Sequence, residues 1–398
     1  MKILIVSSIG YEGGGAETTI TLLRRKFEAF GHTVLIVASD LGPTEQHFSD
    51  REFHACAGRS LVGKTICRVY NRSACRVVRD ALRDFKPDIV QVHTTYEVSP
   101  AVLFVLRRYP VILVTHGAED YTKELLLWGF PPRFFLQGNA EPQYRDLTLE
   151  GKFHYWYHML LSVPVYRYLL RYVSRVLVVS EYMRAMLARQ GIRSVCIPNA
   201  VALPRSVPLD PASKTILYAG RLEKLKGLDY LLDALPVVCA KVPEARLVVV
   251  GTGTYTKELR QRAEQLGVTD RIAWIGHVSQ DALNEYYASA ALVVMPSVWP
   301  EPFGKVGVEA MAVGRPVVAC DVGGVQEWLS DEVTGFLVPP KDADALARRI
   351  TQLLSDERLR IKMGRAATEE AQLFSIEHFC KALIDLHNTC MAERARKE

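Results

Sequence analysis

The sequence has no paired-cysteine motif, no dinucleotide fingerprint, no P-loop and no long apolar run, and each absence removes a class of protein. Its eight cysteines (Cys56, Cys67, Cys75, Cys196, Cys239, Cys320, Cys380 and Cys390) are scattered without a C-x-x-C pair or zinc spacing. That pattern reads as free thiols in a reducing compartment, with no metal site. No uninterrupted 18-residue apolar stretch occurs, so a membrane span is not expected. The opening MKILIVSS has one lysine and a short apolar run that soon meets Gly10 and Glu12, too short for a secretory core. A cytoplasmic location is expected, the inner face of the membrane included. Lys plus Arg number 49 against 44 Asp plus Glu over 398 residues, a formal +5, which gives no case for nucleic-acid binding. The excess is uneven: up to residue 200 there are 25 basic and 18 acidic side chains, a net of +7. An anionic partner therefore has more reason to meet the first half.

What is present is an alternation. KILIVSS (2–8) reads as a strand buried on both faces, GYEGGGAE leads into a helical stretch ended by Gly31, and HTVLIVAS supplies a second strand. Further strands are expected at DIVQVH, VILVTHG and VLVVS, and the first unit closes with SVCIPNA. LPRSVPLDPASK (203–214), with three prolines and no period, reads as a linker. Beyond it TILYAGR, RLVVVG, RIAWIG, LVVMPS, PVVACD and GFLVPP alternate with helical stretches. Alternation on this scale, twice over, implies two doubly wound α/β domains. The expected division is 1–203, 204–375 and a terminal helix over 376–398 able to pack back on the first domain. Residues 119–170 are the least regular. Within 151–175, Lys152, Arg167 and Arg171 stand among Phe153, Tyr155, Trp156, Tyr157, Tyr166, Tyr168 and Tyr172 with no acidic residue. This stretch suits an acceptor groove or a peripheral contact with an anionic membrane face; packing of its aromatics on their own domain is the plainer reading.

The chemistry-bearing residues fall at strand ends, where open α/β sheets bind ligands. Gly13, Gly14 and Gly15 lie between the first strand and helix, where amides can meet phosphate or sugar oxygens, with a glycine turn without ligand as the lesser alternative. AGRLEKLKG puts Arg221, Lys224 and Lys226 just past a strand, with charge and geometry suited to a diphosphate, or else forming a solvated cluster. Gly251 and Gly253 mark a weaker rim loop. In SVWPEPFGKVGVEAMAVG, Glu301 sits in a proline-rich loop and Glu309 inside the helix beginning near Gly304. Carboxylates accept paired hydrogen bonds from sugar or ribose hydroxyls, and the amides of Phe303, Gly304, Lys305 and Val306 can meet an anion. His116, after VILVT, can hydrogen-bond a sugar hydroxyl or move a proton, although a lone histidine is more often structural; His93 poses the same question more weakly.

Taken in order, GGGAE (13–17), THG (115–117), VSEYM ending at Met183, IPNAV (197–201), GRLEKLKG (220–227), the E-x7-E element from Glu301 to Glu309 and GGVQE (323–327) resemble the retaining glycosyltransferases of family 4, the glycosyl transferases group 1. The resemblance covers nearly the whole chain. It implies the GT-B fold, two Rossmann-like domains facing a central cleft, with the acceptor side in the first and the nucleotide sugar mainly in the second. It also implies roles. His116, Arg221, Lys226 and Glu301 would be catalytic; Gly14, Gly15, Arg221, Lys226, Gly251, Glu301, Phe303, Gly304 and Glu309 would bind the donor, a UDP or GDP sugar used as co-substrate. No permanently bound cofactor or metal is implied, and the acceptor would be a small molecule, glycan or lipid. Two departures are visible: Ala200 where IPNG is usual, and Gln326 where proline is usual. The reading is a hexosyltransferase of glycolipid, polysaccharide or glycoside synthesis; the alternative is a sugar-nucleotide-binding scaffold of the same fold.

Overall fold

The structure is a computed structural model, and it describes residues 1–11, 15–42, 47–56, 61–95, 97–117, 152, 156, 160–161, 163–203 and 207–396. The described residues divide into two compact units, one formed by those up to Pro198 together with those from Ile376 onward, the other by Asn199–Ser375.

The first unit opens β1 (Lys2–Ser7), α1 (Gly15–Ala29), β2 (Thr33–Ser39). Every residue of β1 after Lys2 is buried, as a strand between two others with helices on both faces must be. There follow β3 (Arg51–Phe53), α2 (Leu61–Val69), α3 (Arg72–Phe85), β4 (Ile89–His93), α4 (Ala101–Val105), β5 (Val111–Thr115), α5 (Val163–Leu169), β6 (Arg175–Val178), α6 (Glu181–Arg189) and β7 (Val195–Cys196). The sheet runs β3-β2-β1-β4-β5-β6-β7, with every pairing parallel. The order reverses between β1 and β4, so the carboxyl ends of β1, β4 and β5 form the ligand-accepting edge.

The second unit contains β8 (Thr215–Ala219), α7 (Leu228–Lys241), β9 (Arg246–Val250), α8 (Thr256–Gln265), β10 (Ile272–Gly276), α9 (Gln280–Ser289), β11 (Leu292–Met295), α10 (Lys305–Ala312), β12 (Val317–Cys320), β13 (Gly335–Val338), α11 (Ala343–Ser355) and α12 (Glu357–Ala371). Its sheet is β10-β9-β8-β11-β12-β13, again parallel, with the reversal between β8 and β11. A continuous apolar core joins β8, β9 and β11 to α7 and α11. The proline-rich stretch after 203 is held down: the buried Arg315 donates to Val207 O and the buried Arg360 to Pro211 O.

The chain then returns to the first unit as α13 (Ile376–Ala395). Lys26 on α1 pairs with Glu377 and Arg175 on β6 with Glu393, while Phe379, Cys380, Leu383 and His387 are buried.

One expectation is corrected here. Cys56, just past β3, and Cys67, on α2, form a disulfide across an 11-residue separation, with Cα atoms 5.5 Å apart, so the free cysteines are the other six. Their spacing matches no motif that would have marked them as a pair. No helix among the described residues is long and apolar enough to cross a membrane.

Candidate active site

In the second unit the carboxyl ends of β8 and β11 build a site from two loops. The chain leaves β8 at Gly220, and the hydroxyl of the buried Tyr218 donates to Arg221 O at 3.0 Å. Leu222 N donates to Thr252 O, and Tyr255 N to Leu222 O, both at 2.9 Å, which ties this loop to the one after β9. A short 3-10 turn over Lys224–Lys226 follows, ended by Gly227 at φ 68°. A Cβ at 227 would lie 2.0 Å from Pro296 O, so only glycine fits where the loops cross. The carbonyl of Leu225 accepts from Val298 N at 3.0 Å and Trp299 N at 3.2 Å, with Ser297 Oγ at 3.3 Å.

That clamp sets Lys226 against Glu301. Lys226 Nζ donates to Glu301 Oε1 at 2.7 Å, and the carboxylate side chain is only 9% exposed. Glu301 is fixed from behind: its carbonyl accepts from Gly324 N at 2.8 Å, and a Cβ on Gly323 would come within 2.1 Å of that same oxygen. Phe303 is buried, lies edge-on to Phe374 and accepts the indole N–H of the fully buried Trp328 at its carbonyl. Gly304, at φ 93°, is the N-cap of α10, whose amide end therefore opens at the end of the Glu301 loop. A helix start carries partial positive charge and favours an anion.

The sequence-derived residues separate into those the fold joins and those it does not. Lys226 and Glu301, 75 residues apart, are joined directly. Arg221 instead pairs with Glu223 of its own loop at 3.1 Å and is largely exposed. Glu309, on α10, accepts from Tyr287 Oη at 3.0 Å. Burial and the neighbouring Glu309 charge push the Tyr287 phenol well above its ordinary value, so it stays a donor. Arg315 supports this pair by donating to Tyr287 O and Ala288 O at the end of α9; burial lowers its pKa to about 10. Gly251 follows β9 and donates to Gly276 O at 2.7 Å.

In the first unit His116 directly follows β5, and Gly15 is the first residue of α1. Gly14 lies outside the described residues, as do Gly13, Glu119 and Asp120 and most of 119–170. His116 Nε2 meets His93 Nδ1 at 3.0 Å with the rings stacked, and His93 Nε2 meets Gln91 Oε1 at 3.0 Å. Burial, then the neighbouring His116, hold His93 well below the usual imidazole range. No group of three or more His, Cys, Asp or Glu positioned for a metal occurs among the described residues. Sequence reasoning missed Tyr287, Gln91 and His387. Gln91 alone left a signal, as the polar member of the run DIVQVH.

Two Rossmann-like units carrying these loops define a GT-B glycosyltransferase fold, and the chain belongs to glycosyltransferase family 4: residues 13–205 match the family description Glycosyltransferase Family 4 and residues 202–370 match Glycosyl transferases group 1. Among its relatives is the phosphatidyl-myo-inositol mannosyltransferase of Mycobacterium leprae, 27% identical over 94% of this chain and 93% of that one. The D-inositol 3-phosphate glycosyltransferase of Streptomyces avermitilis is 36% identical over 46% of this chain and 41% of its own length. The chain spans about two fifths to a half of the length of the curated relatives that match it at 34–38% identity. In fold it is similar to HepE of Anabaena, solved in complex with UDP, with a TM-score of 0.72, 22% identity and coverage of 98% of this chain and 100% of that one.

Proposed function

We propose that the chain is a retaining hexosyltransferase that moves a sugar from UDP or GDP to an acceptor hydroxyl, with the second unit binding the donor and the first serving the acceptor. The observation that carries this reading is the Lys226–Glu301 pair beside the amide end of α10: a cation, a carboxylate and a helix start together match a diphosphate joined to a hydroxyl-rich ring. Arg221 and Lys226 neutralise the diphosphate, Glu301 accepts from donor-sugar hydroxyls with help from the Phe303 and Gly304 amides, Glu309 accepts from ribose hydroxyls, and His116 meets the sugar. Gly14, Gly15 and Gly251 allow close backbone approach to the ligands.

In the reaction the bond from the anomeric carbon to the diphosphate oxygen breaks, and charge grows on that oxygen as the sugar becomes oxocarbenium-like. Arg221 and Lys226 stabilise that charge more in the transition state than in the ground state, which is what accelerates the step. The acceptor oxygen attacks the same face, its proton passes to the departing phosphate oxygen, and configuration is retained. The relatives that act on inositol phosphate or phosphatidylinositol support a cyclitol or lipid acceptor and an enzyme at a membrane face. So do the exposed Trp156, Leu160, Leu161 and Tyr168 with Arg171 stacked 4.0 Å over the Tyr168 ring; flotation with anionic vesicles is the expected result.

The test is a thermal-shift screen with UDP, GDP, ADP and dTDP sugars, followed by transfer assays with the stabilising donor and NMR of the product anomer. A UDP or GDP sugar should raise Tm by mass action and yield a product of unchanged anomeric configuration. Inverted product, or tight donor binding without transfer to any of a broad set of cyclitol, glycan and lipid acceptors, would overturn the reading, the latter in favour of a binding scaffold.

A further inference from the structure

His116 ends a buried line of polar side chains that crosses the first unit from the end of β5 to α13. His116 Nε2 lies 3.0 Å from His93 Nδ1, His93 Nε2 lies 3.0 Å from Gln91 Oε1, and Gln91 Nε2 lies 2.7 Å from Nε2 of His387. Gln91, His93 and His387 are all but inaccessible to solvent, so these contacts have no water to compete with them. Placing three polar groups inside an otherwise apolar layer is costly unless each is bonded. Yet the apolar residues usual in a doubly buried strand would fill the same space in β4 at no such cost. We propose that Gln91, His93 and His387 are positioning residues that fix which ring nitrogen of His116 carries the proton.

The argument follows from donor and acceptor inventory. A neutral imidazole has one N–H and one lone-pair nitrogen, and a carboxamide has one end of each kind. Fixing any one link therefore fixes all the others. Gln91 Nε2 donates to His387 Nε2, which leaves the His387 proton on Nδ1, a buried atom without a hydrogen-bond partner among the described residues. Gln91 Oε1 then accepts from His93 Nε2–H, His93 Nδ1 accepts from His116 Nε2–H, and the lone pair of His116 is on Nδ1. Burial keeps both inner rings neutral: His387 is lowered to about 3 and His93 falls well below its ordinary value. A charged His93 would have no acceptor to offer His116. The consequence, which rests on the reading that His116 meets the sugar, is that the acceptor nitrogen of His116 is Nδ1, which is buried in this structure and has to be uncovered before a sugar hydroxyl can reach it. The reverse polarity would present an N–H. His387 acts here through two intermediates, from α13 on the same face of the sheet as Gln91 and His93, which is the role of a group that sets a tautomer at a distance.

The test reads the tautomer without any substrate, so its failure is separable from failure of the glycosyl-transfer reading. The full chain is labelled with 15N-histidine, long-range 1H–15N correlations report each ring, and His116→Gln identifies the His116 signals by their loss. Neutral Nε2–H is expected for His116 in the unaltered protein. In Gln91→Leu and in His387→Phe it should give way to a mixture of tautomers. The same two variants should lose about tenfold in kcat, with donor KM changed far less, the scale on which supporting partners act. His387→Gln, which keeps an acceptor for Gln91, should restore both readouts. An Nδ1–H tautomer in the unaltered protein overturns the proposal whether or not the variants fold. So does an unchanged His116 signal in folded Gln91→Leu and His387→Phe.

Discussion

A lysine bonded at 2.7 Å to a nearly buried carboxylate is a charge whose removal touches two things at once, and the two candidate diphosphate cations should therefore behave differently when truncated. Arg221 is exposed and, among the described residues, pairs with Glu223; such pairs contribute about 0–1 kcal/mol. Arg221→Ala should leave Tm nearly unchanged while lowering kcat by about 10²-fold or more, the scale of a lost transition-state donor. Lys226→Ala should lower activity at least as much and also destabilise the fold by about 1–3 kcal/mol, because Glu301 is left buried without its partner. Steady-state transfer rates beside urea denaturation of each variant check this; an Arg221→Ala protein with normal turnover would sink the diphosphate assignment. At the second carboxylate, Tyr287→Phe deletes the phenol that donates to Glu309. Donor KM should rise several-fold, with stability down by about 1 kcal/mol, measured by donor titration and melting.

At the level of elements, the loops carry the most constraint per residue. A methyl group at 227 meets Pro296 O at 2.0 Å in a left-handed backbone, so Gly227→Ala must push apart the loops that align Lys226 with Glu301. A destabilisation of about 1–3 kcal/mol, seen as a lower Tm, should come with weakened donor binding in the same thermal-shift assay. The strands were legible because doubly buried parallel strands read as unbroken apolar runs, as in KILIVS and VILVT. The start of α10 was legible from Gly304 followed by an apolar period. By contrast β3 is three residues long, two of them charged, and carries no run. The join of Lys226 to Glu301 could be foreseen only through family likeness, since a spacing of 75 residues leaves no local pattern, and the Tyr287 contact with Glu309 left none at all.

Across the whole molecule, the disulfide and the buried histidines set measurable behaviour. Titration of the unfolded, unreduced protein with a thiol reagent should find six thiols, and eight after reduction; eight from the outset would remove the Cys56–Cys67 bond. His387 titrates near 3 folded against an ordinary 6.5, so the unfolded chain takes up its proton first as pH falls. Stability is therefore full above about pH 6.5, declines between there and pH 3, and for this ring alone is down by about 2 kcal/mol at pH 5. His93 acts in the same direction. Urea melts across that range should fall less steeply in His387→Phe. The sequence could not announce this pairing: Gln91 and His387 are 296 residues apart, and a histidine within a terminal helix looks like any other.

The return of α13 to the first unit has a consequence for the order of events on the ribosome. Asn199–Ser375 is one continuous stretch and can close its core as soon as it emerges, whereas the unit begun first still lacks the helix that brings Cys380, Leu383 and His387. At 5–20 residues per second the wait is on the order of 10–35 s. The half of the protein made second is the half that can be finished first, and during that interval Gln91 faces a gap where its partner will later arrive.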